Sequence, residues 1–120
     1  MAGKFCINLT CSTDNTDRAT VAFVVANAAV ASDKDTLVFL SIEAVRLSQK
    51  GVAESIHEEG FTPLKDLMTS FLEAGGKIFV CSPCFKKRKL DENNLAEGAL
   101  IVGGAQLVEF MSESCPSLSY

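Results

Sequence analysis

Two cysteines in the second half of the chain have the spacing of a reactive thiol pair. Cys81 and Cys84 form a Cys-x-x-Cys motif, and residues 77–81 are typical of a short buried strand that ends at the first cysteine. Ser82 is a favourable helix N-cap and Pro83 suits the first helical position, which places Cys84 in the first turn of a helix. Unpaired backbone N–H groups and the positive end of the helix dipole favour a thiolate there. The motif therefore predicts a reactive sulfur.

A run of four cationic residues follows the second cysteine: Lys86, Lys87, Arg88 and Lys89. Nearby cations lower the pKa of a free thiol, which is roughly 8.5, by one to several units. We therefore expect Lys86, Lys87 and Arg88 to bind and stabilise an anionic sulfur. A solvated helix face is the alternative role for such a run, and two cysteines three residues apart also arise by chance in a chain with five cysteines.

The length, composition and cysteine count of the chain indicate a folded protein with free thiols. The 120 residues are 48% hydrophobic and 22% charged, which predicts a single domain over residues 1–120. The net charge of −4 argues against a general nucleic-acid partner, because the basic cluster is local. Five cysteines are an odd number, and no secretory signal precedes them, so we expect a reducing cytoplasm.

The apolar stretch at residues 18–31 is predicted to be a core helix. Asp14 and Asp17 stand where a signal peptide needs positive charge, and Asn27 interrupts the stretch. It is also too short to cross a bilayer, which needs about 20 apolar residues. The sequence therefore predicts no membrane span.

The hydrophobic pattern predicts strands alternating with helices. In chain order, the predicted elements are a strand at residues 4–10, a helix at 15–31, a strand at 36–41, a short helix or turn at 42–47, a helix opened by Thr62-Pro63 and closed by Gly75-Gly76, a strand at 77–81 with the helix after it, a strand at 99–102, a tight turn at Gly103-Gly104 and a helix at 105–112. Residues 116–120 are either a frayed tail or a fifth strand. The polar stretch at 48–61 has the length of a lid or binding loop and carries His57, for which simple solvation is the alternative.

This alternation predicts an α/β fold with a mostly parallel sheet and helices on both faces. Ligands of such sheets bind beyond the carboxyl ends of the strands. That edge would bring together Cys11 and Ser12, the turn at residues 41–43, the Cys81–Cys84 motif, and the Gly103-Gly104 pair. The turn at residues 11–16 and the two glycines could also bind a small anion through backbone N–H groups.

An ordered set of segments resembles the DsrE/DsrF-like family of sulfur-relay proteins over nearly the whole chain. The segments are the strand at residues 77–81 running into Cys81-Ser82-Pro83-Cys84, the connector at 90–95, the stretch Glu97-Gly98-Ala99-Leu100-Ile101-Val102-Gly103-Gly104, the segment 44–47 with Lys50-Gly51, and residues 71–76. The resemblance implies a flavodoxin-like, three-layer α/β/α fold with four or five strands, and assembly into homotrimers or hexamers. It also implies that a cysteine after the third strand, here Cys81, carries sulfur as a persulfide.

The leading hypothesis is a sulfur carrier or sulfurtransferase whose partners are a sulfur donor protein and a sulfur acceptor protein. Cys81 would hold the sulfur, and Cys84 could release it by attacking Cys81 and closing a disulfide. A thiol-disulfide oxidoreductase or peroxide-reducing protein would use the same pair, and a non-catalytic anion-binding module is a third possibility. Metal binding by Cys11, Cys81, Cys84 and Cys115 has little support, because only one Cys-x-x-Cys pair is present. The sequence predicts no cofactor.

Overall fold

A computed structural model describes residues 3–120 and shows a five-stranded, parallel β-sheet with helices on both faces. The strands are β1 (Lys4–Leu9), β2 (Asp35–Leu40), β3 (Lys77–Cys81), β4 (Ala99–Val102) and β5 (Ser117–Ser119). The helices are α1 (Thr16–Ala31), α2 (Leu64–Glu73), α3 (Ser82–Lys87) and α4 (Gly104–Met111), and short 3-10 segments span Ile42–Ser48, Ala53–Ser55 and Glu92–Asn94. The predicted three-layer α/β architecture is confirmed.

The strand order, β4-β3-β2-β1-β5, explains how the layers arise. The first four strands advance in one direction across the sheet, and β5 returns to pair with β1 on its free side. Right-handed crossovers place the helices of the first three connections on one face and α4 on the other. Since all strands are parallel, their carboxyl ends meet at one edge, as predicted. Of the two alternatives for residues 116–120, the structure has the strand.

The main core lies between the sheet and the pair α1 and α2. Small residues on one side of α1, Ala22 and Ala26, are fully buried and let the helix approach the sheet closely. Phe23 of α1 meets Phe71 of α2 edge to face, with ring centroids 5.8 Å apart. Met68, about one turn before Phe71 on α2, is also buried. Both helices were predicted from the sequence, one at residues 15–31 and one between Thr62-Pro63 and Gly75-Gly76.

The opposite face of the sheet is covered by α4, with Cys115 from the segment after it. Cys6, Leu37 and Phe110 form a small buried cluster there, and the Lys4 ammonium lies 4.9 Å from the centroid of the Phe110 ring. Leu100 of β4 and Val108 of α4 remain exposed. This layer is therefore thinner than the one built by α1 and α2.

Two local features differ from the predictions. The stretch at residues 48–61, which has the length of a lid or binding loop, is partly anchored, because Ala53 and Ile56 are buried in the main core and the Leu64 N–H donates to the Ile56 carbonyl at 3.0 Å. Gly103 and Gly104 do not form a tight turn. Gly103 is the N-cap of α4, with an ordinary φ of −88°, and the helix begins at Gly104. Within residues 3–120, no helix combines the length and apolar character that crossing a membrane requires.

The buried Cys6 thiol makes the stability of the fold depend on pH in the alkaline range. Burial, with a smaller contribution from Cys115, raises the pKa of the Cys6 thiol from about 9 to about 12. The unfolded chain therefore loses this proton first, and folding stability falls as the pH rises through that interval. We expect the Cys6→Ala variant to lose less stability with rising pH, by up to about 1.4 kcal/mol per pH unit.

The measurement is urea unfolding of both proteins just below, and one unit above, the ordinary pKa of a thiol. The change in free energy of unfolding between the two pH values is the quantity compared, so a lower starting stability of the variant does not matter. Equal changes in the free energy of unfolding of the two proteins would contradict a raised pKa of the Cys6 thiol in the folded state.

Candidate functional site

The candidate site is built where β3 passes directly into α3. Cys81 is both the last residue of β3 and the N-cap of α3, with φ −64° and ψ 114°. The helix thus begins at Ser82, one residue earlier than predicted, and Ser82 is not the cap. Since α3 has only six residues, the helix dipole contributes less than the sequence suggested. Pairing of Cys81 with Val102 of β4 fixes the position of the turn.

Cys81 and Cys84 share a partly exposed position against the main core. Both are free thiols, and both are more accessible than Cys6, which is fully buried. Phe85, next to Cys84, inserts into the core and anchors the helix. The two sulfurs are therefore held on a firmly packed turn with one side open to solvent.

Burial controls the protonation of Cys81. It raises the pKa of the Cys81 thiol, and the neighbouring Cys84 thiol raises it further. A hydrogen bond from the Cys84 backbone N–H and the charge of Arg88 lower it, but the net shift is upward. The expectation that this turn strongly favours the thiolate is therefore wrong for the isolated chain. The two stabilising groups only partly compensate for burial.

Of the predicted cations, Arg88 is the one directed into the site. Its side chain is 12% exposed, its Nε donates to Glu43 Oε2 at 2.8 Å, and its Nη1 donates to the Cys84 carbonyl at 3.3 Å. Lys86 and Lys87 lie on the exposed side of α3. Lys89 is exposed as well, so the basic run divides into one inward guanidinium and three solvated ammonium groups.

The contact between Glu43 and Arg88 is the feature of the site that sequence reasoning missed. Glu43 lies in the 3-10 segment after β2 and receives hydrogen bonds from Arg46 Nε on Oε1 and from Arg88 Nε on Oε2, each 2.8 Å long. These two bonds, Arg46 first, hold the pKa of the Glu43 carboxyl below its usual value. The turn at residues 41–43 was expected at this edge, but nothing in its local pattern identified Arg88 as its partner.

Cys11 and Ser12 lie elsewhere along the edge. They follow β1, which is separated from β3 by β2, so two strand spacings, roughly 10 Å, lie between β1 and β3. Cys11 is 9% exposed within the main core, with its sulfur 3.8 Å from Thr10 Oγ1. Ser12 is fully buried, its N–H donates to Asp14 Oδ1 at 2.8 Å, and its Oγ has no hydrogen-bond partner within residues 3–120.

Gly103 and Gly104 lie beside Cys81, since Gly103 follows Val102, the pairing partner of that cysteine. The Gly103 N–H already donates to Gln106 Oε1 at 3.0 Å. A Cβ added at Gly104 would meet no other atom within 4 Å, so nothing there requires a glycine. The predicted anion cradle therefore has one backbone donor fewer than expected.

His57 and Cys115 do not join this turn. His57 Nε2 lies 2.9 Å from the Phe61 carbonyl in an exposed segment, and Cys115 packs with Cys6 under α4. Across residues 3–120, no group of three or more His, Cys, Asp or Glu side chains is arranged to hold a metal ion.

The chain matches one known family in sequence and two solved structures in fold. The sequence profile of the DsrE/DsrF-like family matches residues 3–116. The fold is similar to the crystal structure of the YchN protein from E. coli, with a TM-score of 0.82 and 16% identity over 98% of this chain and 99% of that one. It is also similar to MTH1491 of Methanobacterium thermoautotrophicum, a protein of unknown function, with a TM-score of 0.71 and 14% identity over the same shares of the two chains.

Similar curated sequences come from methanogens and have no assigned function. MJ0760 of Methanocaldococcus jannaschii is 31% identical over 109 residues, which cover 91% of this chain and 39% of that protein. MJ0989 of the same organism is 39% identical over 49 residues, 41% of this chain and 43% of that protein. The matched regions thus span about two fifths of these relatives.

The division of the basic run predicts which charge controls Cys81. We expect Arg88→Gln to raise the apparent pKa of Cys81 and so to slow its alkylation near neutral pH about threefold or more, because it removes a partly buried cation. The paired substitution Lys86→Gln with Lys87→Gln should leave that pKa unchanged, since water and salt screen exposed charges. The measurement is the alkylation rate of each cysteine against pH, read by peptide mass spectrometry.

Cys6 serves as the slow internal reference in this experiment, because it is fully buried. Equal alkylation rates for Cys6, Cys81 and Cys84 in the folded protein would remove the physical basis of the site. A shift caused by the lysine pair and not by Arg88 would contradict the division of the run.

Proposed function

Because this chain belongs to the DsrE/DsrF-like family, we propose that it is a sulfur carrier that holds sulfane sulfur as a persulfide on Cys81 and passes it to a partner protein. The observation that carries the proposal is the position of Cys81 at the end of β3, partly exposed, with a second thiol in the next helical turn. Family membership supports a role related to sulfur relay. The persulfide, the donor protein and the acceptor protein are parts of this proposal.

Loading requires Cys81 as a thiolate. Its sulfur attacks the sulfane sulfur of the donor, a new S–S bond forms, and the donor's leaving group departs with the electron pair of the broken bond. The product on Cys81 is an anionic persulfide. Arg88, with its side chain 12% exposed, supplies a positive charge beside this anion. Burial disfavours the free thiolate, so we expect loading to accelerate at alkaline pH.

Two routes of release are open to the same pair. In the first, a thiolate of the acceptor attacks the outer sulfur, and Cys81 leaves as a thiolate. In the second, Cys84 attacks the inner sulfur, which is Cys81 Sγ, so that a Cys81–Cys84 disulfide forms and hydrosulfide departs. A dithiol reductant must then restore the pair. We place this cycle in a reducing, cytoplasmic setting, where free thiols persist.

A thiol-disulfide oxidoreductase, including a peroxide-reducing one, is the second candidate. It is favoured by the same closeness of the Cys84 thiol to Cys81. Such a protein would cycle between dithiol and disulfide without retaining added sulfur. The two candidates therefore differ in the mass of the treated protein.

We expect incubation with a small persulfide donor, followed by mass spectrometry, to add one sulfur atom to the peptide that contains Cys81. The adduct should be absent in Cys81→Ser. It should persist longer in Cys84→Ser, because internal release is blocked. Cys115→Ser is the matched control, since that cysteine lies under α4 and should not alter loading. In Cys84→Ser, which cannot close the disulfide, absence of the adduct together with a loss of two hydrogens in the wild type would instead identify the oxidoreductase.

We also propose that the chain assembles into a homotrimer or a hexamer. The thin α4 layer supports this, because Leu100 and Val108 remain 57% and 68% exposed there. Leu100 pairs with Phe79, which packs on the α4 side of the sheet, so both exposed residues belong to that side. A partner chain would bury apolar surface that one helix leaves open.

Sedimentation equilibrium at micromolar concentration tests the assembly. We expect three or six times the mass of one chain for the wild type, and a smaller mass for Val108→Asp. Val24→Asp is the matched control, because Val24 lies on α1 and is also an exposed valine. A wild-type mass of one chain would rule the assembly out.

A further inference from the structure

One carboxylate ties the connection after β2 to the connection after β3. Glu43 bonds Arg46 within its own segment and Arg88 at the end of α3, and the latter bond joins residues 45 positions apart. Two guanidinium groups share a single carboxylate, so one positive charge remains uncompensated. Arg88 is the more buried of the two arginines, with 12% of its side chain exposed against 40% for Arg46.

Uncommon backbone conformations adjoin both members of the Glu43–Arg88 pair. Four non-glycine residues in the described chain have positive φ, and Ile42 and Lys89 are two of them, each at 55°. Ile42 directly precedes Glu43, and Lys89 directly follows Arg88. A β-branched residue such as isoleucine is a clear outlier in this region, because its side chain crowds the backbone. Such conformations persist only where the surrounding structure fixes them.

The conformation of Lys89 has a local cause. The Leu90 N–H bonds the Phe85 carbonyl at 3.3 Å, and the Lys89 N–H bonds the Lys86 carbonyl at 3.0 Å, which is the Schellman arrangement that ends a helix. This cap stops α3 immediately after Arg88 and leaves its side chain beside the Cys84 carbonyl. Glycine is the usual residue at this position.

Ile42 has no such helix-ending role. It is 49% exposed, so its side chain is not held there by burial. The left-handed turn instead connects the end of β2 to the 3-10 segment at the point where Glu43 meets Arg88. No local sequence feature explains the positive φ of Ile42. The contact between the Glu43 and Arg88 side chains is the remaining feature of this turn.

We propose that Glu43 is a positioning residue for the Cys81–Cys84 turn, holding the Arg88 guanidinium against the backbone of Cys84 so that its charge remains beside the Cys81 sulfur. This inference rests on the proposed role of Cys81 as the reactive thiol. Glu43 touches neither cysteine through a hydrogen bond in the described structure. Its effect is exerted through Arg88.

The proposal predicts the direction in which the pKa of Cys81 changes when Glu43 is replaced. If Glu43 acted on Cys81 only through its own negative charge, then removing that charge would stabilise the thiolate and lower the pKa of Cys81. If Glu43 holds Arg88 in place, its removal lets the guanidinium turn towards solvent, and the pKa of Cys81 rises. The two roles therefore predict opposite shifts.

The experiment is the pH dependence of iodoacetamide alkylation of Cys81, read by peptide mass spectrometry. We expect Glu43→Ala to slow alkylation near neutral pH by about three- to tenfold and to raise the apparent pKa, matching Arg88→Gln. The double variant Glu43→Ala with Arg88→Gln should show no further change. Arg46→Gln is the matched control, since it removes the other partner of the same carboxylate and should leave Cys81 unchanged.

A fall in the apparent pKa, or no change while Arg88→Gln shifts it, would overturn the proposal. Full additivity in the double variant would also overturn it, because independent effects need no positioning. Glu43→Gln keeps the volume of the side chain and serves as the second variant if Glu43→Ala does not fold; it should shift the pKa in the same direction. Alkylation needs no sulfur donor, so failure of persulfide loading in the wild type would refute sulfur carriage separately and leave this result intact.

Discussion

The candidate site depends on the parallel pairing of β3 with the strands on either side. Val80 lies in register with Leu40 of β2 and with Ile101 of β4, which sets the level at which all three strands end. Cys81 therefore emerges between the connection that carries Glu43 and the start of α4. A one-residue slip in this register would turn Cys81 to the other face of the sheet. The chemistry of the turn is thus set by backbone hydrogen bonds before any side chain contributes.

Burial and charge act in opposite directions on the same sulfur. The packing that holds the turn in one conformation also withdraws Cys81 from water, which favours the neutral thiol. One cation and one backbone N–H act against this withdrawal. Because these contributions oppose one another, a change in any one of them alters the pKa of the Cys81 thiol. That property suits the proposed role of Cys81, which must lose its proton before it can accept sulfur.

Most of the fold could be predicted from the sequence, because its signals are periodic and local. Helix α1 follows from its apolar stretch, α2 from its Thr62-Pro63 start and Gly75-Gly76 end, and the strands from short apolar runs between turn residues. The Cys81–Cys84 turn was located by the same reasoning. The Glu43–Arg88 pair was not predictable, because a contact between side chains 45 positions apart leaves no periodic trace. The upward pKa shift of Cys81 was missed for a related reason, since burial is a property of the assembled core.

The return of β5 to the side of β1 has a consequence for how the chain folds. Backbone bonds join Thr10 to Tyr120 and Cys6 to Pro116, so this side of the sheet closes through contacts between residues about 110 positions apart. Until β5 arrives, β1 is an edge strand, with one row of backbone groups unpaired and the buried side chains of Cys6 and Ile7 on either side of it. Open edges of this kind invite pairing with other chains. We therefore expect docking of β5 to protect this side of the sheet from aggregation during folding.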